Sequence, residues 1–506
     1  MINPKVLDER KGSIGNRLNR GLPDDCSKPM FSASNIHYEL ADRITAISDG
    51  GIGIIHKLVQ EISLAEAIDR NVQLLKLHLP YHESDHVLNF AYNALCGGRC
   101  LEDIELRRND EGFLDALQTD RIPDPTTAGD FCRRFKSRYQ IGRLQDAIDE
   151  ARLKVWAKQP DEFFAEAIID MDGHLVGTCG ECKKGMDIAY DGTWGYHPLI
   201  VSLANTAEVL SIENRSGNRP SHEGASVHCD RAIALCRRAG FRRILLRGDT
   251  DFSQTEHLDR WDQDDVRFHF GYDAMPNLNA IADKLPKNRW EKLVRPDRYE
   301  VKTQPRCRPE NVKQKIVRER EFDILNLKSE DVAEFKYRPT KCKRTYRMIV
   351  IRKNISHEKG EKRLFDNVRY FFYITNDRES TAAEVVFSCN DRCHQENLIE
   401  QLKNGVPALR AAVDNLLSNW AYMVMTSLAW NLKAWMALWL PEQGRWSQTR
   451  RSEKQRVLKM EFRTFVNSFI KIPCQIIQSG RRIVYRLLSW NPWLAIFRRL
   501  TVELNC

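Results

Sequence analysis

The 506-residue chain contains no apolar run long enough to cross a membrane. Its most apolar stretch, 416–440, is interrupted by Asn419, Asn431 and Lys433 and carries four tryptophans, Trp420, Trp430, Trp435 and Trp439. A span needs about 20 nearly uncharged residues, so a buried helix is expected there and no membrane partner. The first thirty residues are polar and mixed in charge, without the apolar core of a secretory signal. Repeats of 20–50 residues and long low-complexity tracts are also missing, which excludes solenoids and compositionally biased tails. Fourteen cysteines without a signal segment indicate a reducing cytoplasm rather than a disulfide framework. Gly50-Gly51 and Gly97-Gly98 lack the strand–helix context of a phosphate loop. The Cys179-Gly180-Glu181-Cys182 spacing has no second pair to complete a zinc site, so these are taken as ordinary cysteines. Cys389 and Cys393, one helical turn apart, are expected to pack, and His197 to be a structural turn residue.

Hydrophobic residues make up 42% and charged residues 29% of the chain, an ordinary globular mixture. At about 150 residues per domain this length suggests roughly three domains. Net charge is +9, from 78 Lys/Arg against 69 Asp/Glu. It is localised: residues 401–506 hold 16 cations against 5 anions and residues 281–320 hold 13 against 6. The remainder is acidic. Basic surface beside acidic surface suits a polyanion partner and a carboxylate-lined site.

Residues 1–35 form a loose arm in this reading. Residues 36–160 have helical periodicity, with apolar residues three and four apart in 54–67 and 87–95 and a stop-and-cap signal at Pro123–Thr127. This suits either a helix-turn-helix DNA-binding unit or a plain helical packing domain. From 161 to 274 the period changes. Short apolar strands are expected at 165–169, 198–203, 207–212, 244–246 and 266–270, with a helix over 226–239 and a short one near Glu256. Three strands followed by helix–strand–helix–strand is the order of a ribonuclease-H-like α/β core. Residues 275–380 read as a basic, β-rich insertion, with strands at 334–337, 346–351 and 368–374. The core then resumes over 381–410 with a helix from Thr381 through Leu402, and 411–506 is expected to be basic and helical.

Three acidic segments stand at strand or helix positions that present them. In Ile168-Ile169-Asp170-Met171-Asp172-Gly173, Asp170 and Asp172 are two apart on a strand and share a face. Periodicity does not choose between them. In Leu246-Arg247-Gly248-Asp249-Thr250-Asp251-Phe252 the acids follow the carboxyl end of a strand, where α/β folds place their sites. In the third segment, Arg392, Glu396 and Lys403 fall within about 40° on an α-helix at roughly 100° per residue. A salt-bridged solvated face would show the same spacing.

In this order the three segments resemble the DDE transposases of bacterial insertion sequences. The third fits their signature of Tyr, two residues, Arg, three residues, Glu, six residues, Lys. The segment Tyr370–Asp377 is similar to the strand before that helix, and the closest subgroup is the "thirteen-eighty" insertion-sequence family. The sequence departs from the pattern in two places: Cys389 occupies the tyrosine position, and His174 follows Asp172-Gly173 where Thr or Ser is common.

The resemblance implies catalytic, metal-binding roles for Asp172, Asp249 and Glu396, with Asp170 as the alternative to Asp172 and Asp249 favoured over Asp251. It implies two Mg²⁺ or Mn²⁺ ions, and phosphate contacts from Arg392 and Lys403. Water would first cut at the element's end, and the freed 3′-OH would then attack another phosphodiester. The implied partners are element-end and target double-stranded DNA, bound by a homodimer in a bacterial cytoplasm, associated with the nucleoid. A hydrolytic nuclease on the same core and an inactive transposase-derived DNA-binding protein are the alternatives.

Overall fold

The computed structural model describes residues 3–19, 36–38, 44–78, 80–295, 323–359, 362–480 and 482–505. The chain divides into two compact units. One comprises Phe164–Gly173 and Pro220–Glu396; the other comprises Met1–Phe163, His174–Arg219 and Asn397–Cys506.

The first unit is built on a mixed sheet. Strand Glu166–Gly173 pairs in parallel with Arg243–Gly248, setting Asp170 opposite Arg247, and Arg243–Gly248 pairs in parallel with Val266–Tyr272. Parallel neighbours need long crossovers, and helices Ala225–Ala239 and Thr255–Gln263 occupy them. The apolar runs Ile168-Ile169 and Ile244-Leu245-Leu246 suit strands covered on both faces. The expected helix over 226–239 and the strands around it are present within a few residues, and Gly240 ends the helix at φ 99°.

Beyond Val266–Tyr272 the sheet turns antiparallel, through Lys362–Thr375, Tyr346–Lys359 and Asp323–Tyr337 to the short edge strand Glu291–Lys292. The β-rich insertion thus extends the sheet, with strands of 15, 14 and 14 residues, longer than their apolar patches suggest. Cross-strand pairing carries polar residues into strands that periodicity alone ends early. The basic segment 296–322 lies outside the described residues. Helix Ala382–Asp391 begins with a capping box between Thr381 and Glu384. It packs Val385 and Val386 onto Leu293, Val332, Ile349 and Ile351, and full burial of each valine contributes roughly 1.5–3 kcal/mol.

The second unit is mainly helical. Its centre is the 23-residue helix Leu416–Leu438, buried throughout from Ser418 to Leu438. Its two asparagines and its lysine are engaged. Asn419 bonds the Val413 and Asn415 backbone, Asn431 bonds Val209, and the Lys433 ammonium donates to the Leu458 carbonyl at 2.7 Å. The buried-helix expectation holds, and among the described residues no helix is long and apolar enough to cross a membrane. Hairpin Leu199–Leu203/Glu208–Glu213 belongs to this unit.

Two regions differ from expectation. Within the N-terminal arm, Pro4–Leu18 is a helix capped by Asn3 and started by a proline. It buries no residue, which is why apolar periodicity does not reveal it; residues 20–35 lie outside those described. The C-terminal region is not wholly helical. Cys474–Ser479 and Arg482–Leu487 form a hairpin, and Ala46–Ile47 joins its edge. The run Ile476-Ile477, the turn at Ser479-Gly480 (Gly480 φ 60°) and Ile483-Val484-Tyr485 are its signal.

Candidate active site

Strand Glu166–Gly173 points Ile169 and Met171 one way, both buried, with Met171 against Cys229 of helix Ala225–Ala239. Asp170 and Asp172 share the opposite face, as the period of two requires, but their surroundings differ. Asp170 is 1% exposed, and both of its oxygens accept from Arg247, Nε to Oδ1 at 2.7 Å and Nη2 to Oδ2 at 2.7 Å. Asp172 lies two residues nearer the strand end. Its Oδ1 accepts the Gly173 N–H, and its Oδ2 accepts from Arg392 Nη1 at 2.8 Å.

Asp249 follows strand Arg243–Gly248 and caps the short turn Thr250–Phe252, with its Oδ1 accepting the Asp251 N–H at 3.0 Å. Asp251 itself is exposed. Phe252 is buried beneath the turn, and Gly271 on the neighbouring strand allows its close approach. A Cβ at Gly271 would lie 2.9 Å from the Thr250 nitrogen and 3.1 Å from the Asp249 carbonyl carbon.

Arg392 joins these groups. Its guanidinium is 2.8 Å from Asp172, 4.0 Å from Asp249 and 3.5 Å from Glu396. Side-chain exposure rises outward, from 15% at Arg392 and 17% at Asp172 to 38% at Asp249 and 60% at Glu396. The expected continuous helix 381–402 is broken here. Helix Ala382–Asp391 ends, Arg392 caps it, and Cys393–Glu400 follows as a separate helix. Residues Gln401–Gly405 then form a π-turn. Lys403 is exposed in that turn and belongs to the helical unit. A break and an i→i+5 turn both shift the phase, so the α-helical arithmetic that aligned Lys403 with Arg392 and Glu396 does not apply.

Burial raises the Asp172 carboxyl to about 6; Arg392 opposes this and the like charge of Asp249 adds to it. Burial also raises Asp249, again against Arg392. Two crowded acids held partly desolvated are poised to receive a cation, and here the cation is a guanidinium.

Among the described residues no three His, Cys, Asp or Glu side chains are grouped tightly enough to hold a metal ion together. The donor set is nevertheless the one that hard divalent ions take, carboxylate oxygens with one open side. Arg392 stands between the carboxylates, and its withdrawal would free their oxygens.

Arg247 and Gly271 are the residues that sequence reasoning missed. The Arg247–Asp170 pair depends on sheet register, and Gly271 on how close a turn approaches. The remaining candidates separate as follows. Cys389 packs on the apolar cluster under helix Ala382–Asp391, but Cys393 is exposed and does not pack as expected. Cys179 and Cys182 are exposed. His197 is buried with Nδ1 2.8 Å from the Arg219 carbonyl, a structural role. His174 is half-buried in the helical unit, its basicity lowered by burial and by Lys403. The four tryptophans of 416–440 are core residues.

None of the curated proteins compared matches the chain. Among solved structures, the chain is similar to the cryo-EM structure of a piggyBac transposase synaptic complex with hairpin DNA. Identity is 11%, coverage is 83% of this chain and 88% of that chain, and the TM-score is 0.34. The family described as transposase DDE domain group 1 matches residues 41–505. On that match, which spans nearly the whole sequence, the chain belongs to the DDE transposase family.

Proposed function

We propose that this transposase binds the terminal inverted repeats of an insertion sequence of the "thirteen-eighty" type and performs metal-dependent DNA cleavage and strand transfer on a ribonuclease-H-like core. Asp172, Asp249 and Glu396 are its catalytic carboxylates. The observation that carries the reading is the convergence of these three acids on the Arg392 guanidinium, at the carboxyl ends of two adjacent parallel strands. Asp172 is preferred to Asp170 because Arg247 already occupies both Asp170 oxygens.

The carboxylates would hold Mg²⁺ or Mn²⁺, two ions in the full assembly. When bound, such ions lower the pKa of water and neutralise the charge on a phosphodiester undergoing in-line displacement. The chain's own residues do the rest. Asp172 and Asp249 present oxygens from rigid strand ends, and Glu396 closes the set from the helix that follows Arg392. Once displaced from the acids, Arg392 becomes a cation for a DNA phosphate, and Lys403 is a second. The basic segments 281–320 and 401–506 supply phosphate contacts independent of sequence, so affinity should fall steeply with salt. Two element ends are paired by a homodimer, in a bacterial cytoplasm at the nucleoid.

The test uses duplex DNA carrying the inverted repeats found beside the gene, with wild type and Glu396→Gln, in Mg²⁺, Mn²⁺ or chelator. Metal-dependent cuts at the repeat ends with joined products are expected from wild type. Glu396→Gln should lower cleavage at least a thousandfold while binding the ends normally. Cleavage by the variant at the wild-type rate would overturn the assignment. Cleavage without joining would indicate a nuclease, and binding without cuts an inactive descendant.

A further inference from the structure

Two guanidinium groups link strand Glu166–Gly173 to the chain around Arg392, one at the site and one beneath it. The outer link is Arg392 to Asp172. The inner one is Arg247, 4% exposed, which grips Asp170 with Nε and Nη2 and donates Nη1 to the Ser388 carbonyl at 2.9 Å. Ser388 is in the last turn of helix Ala382–Asp391, whose terminal carbonyls lack partners within the helix. A cation at that end also meets the favourable pole of the helix dipole. The Ser388 hydroxyl is fixed as well, 2.9 Å from His269 Nδ1, and His269 Nε2 lies 3.4 Å from Asp377. Asp170 is two residues before Asp172, Arg247 two before Asp249, and Ser388 four before Arg392. One planar fork therefore touches the three segments that carry the candidate acids.

We propose that Arg247 is a positioning residue for the active site: by bonding Asp170 and the Ser388 carbonyl at once, it sets the spacing among Asp172, Asp249 and the Arg392–Glu396 segment. This rests on the proposed function above. The outer guanidinium must leave its carboxylates when a divalent cation binds, so the inner one keeps the helix end in place during the exchange. Lysine keeps the charge but cannot reproduce a bidentate grip plus a third donor in one plane.

The test titrates Mn²⁺ into the full-length, DNA-free protein, following the free-ion EPR signal, alongside cleavage of repeat-end DNA. In Arg247→Lys, Mn²⁺ affinity should fall at least fivefold and the cleavage rate at saturating Mn²⁺ at least tenfold, with repeat-end binding within twofold of wild type. Asp170→Asn, which preserves shape, should show the same pattern to a smaller degree and serves if Arg247→Lys does not fold. The control is Arg152→Lys, in the buried cluster of the helical unit, which should lower Tm without moving Mn²⁺ affinity. If Arg247→Lys and Asp170→Asn lower only Tm, as the control does, the positioning role is wrong. If Glu396→Gln binds Mn²⁺ and cleaves like wild type, the proposed site itself fails.

Discussion

Two arginines, one in each unit, sit among carboxylates, and they behave differently. In the helical unit Arg152 is wholly buried. It bonds Asp149, Glu208 at 3.1 Å and the Val209 carbonyl at 2.6 Å. Glu208 is equally buried and also accepts from Trp156 at 2.9 Å, Trp435 at 2.6 Å and Thr206 at 2.6 Å. Donors and acceptors are matched, and no oxygen of Glu208 faces solvent. Arg392 in the sheet unit has more carboxylates around it and fewer close bonds, with only Asp172 within 3 Å. The first arrangement is saturated and closed. The second holds excess negative charge, opens toward solvent and leaves Asp172 with a raised pKa. A cluster that no protein group completes is the one available to a ligand, which is the physical basis for proposing the site at Arg392.

This contrast can be broken or sharpened. The largest effect is expected at Glu208→Ala, which leaves the buried Arg152 with Asp149 as its remaining carboxylate and strands the Trp156, Trp435 and Thr206 donors. Removing one partner of a buried pair costs about 3–5 kcal/mol, read as a lower denaturation midpoint or loss of soluble protein. Asp172→Asn should act in the opposite direction. The Asp172 pKa is raised from 3.8 to about 6, so the folded state binds more protons than the unfolded state between these values, and stability falls as pH rises through that window. The variant should lack this loss and be more stable than wild type by about 3 kcal/mol at pH 7, measured by urea unfolding at pH 4 and pH 7. Next is Arg392→Ala. Without its internal counter-ion the cluster should bind Mn²⁺ about tenfold more tightly, or about 1.4 kcal/mol, while cleavage is lost. Weaker Mn²⁺ binding in this variant would mean that Arg392 organises the carboxylates instead of competing for them. The smallest effect is expected at Asp251→Asn, an exposed side chain beyond the Asp249 turn. Cleavage within about threefold of wild type separates Asp249 from Asp251, since an isolated surface charge contributes less than about 1 kcal/mol.

The sheet unit was largely legible in the sequence. Continuous apolar runs at 167–169 and 244–246 mark strands covered on both faces, and the acids after them mark strand ends. The capping box at Thr381–Glu384 marks the start of its helix. Less was legible where structure depends on distant pairing. The Pro4–Leu18 helix has no buried face to betray it, and the Cys474–Leu487 hairpin sits in a stretch otherwise rich in helical residues.

Composition, local periodicity and residue spacing by themselves determined the α/β class, the long buried helix and the three acidic segments. These depend on a few consecutive residues and on the fixed repeats of strand and helix. Tertiary structure alone decided that Asp170 is committed elsewhere while Asp172 faces Arg392. Asp170 is bonded by Arg247, a partner 77 residues away brought opposite by parallel register. It also decided that Arg392 interrupts its helix and that Trp420, Trp430 and Trp435 bond hairpin carbonyls and Glu208. Such outcomes depend on which groups face each other across the fold, and no local period encodes that.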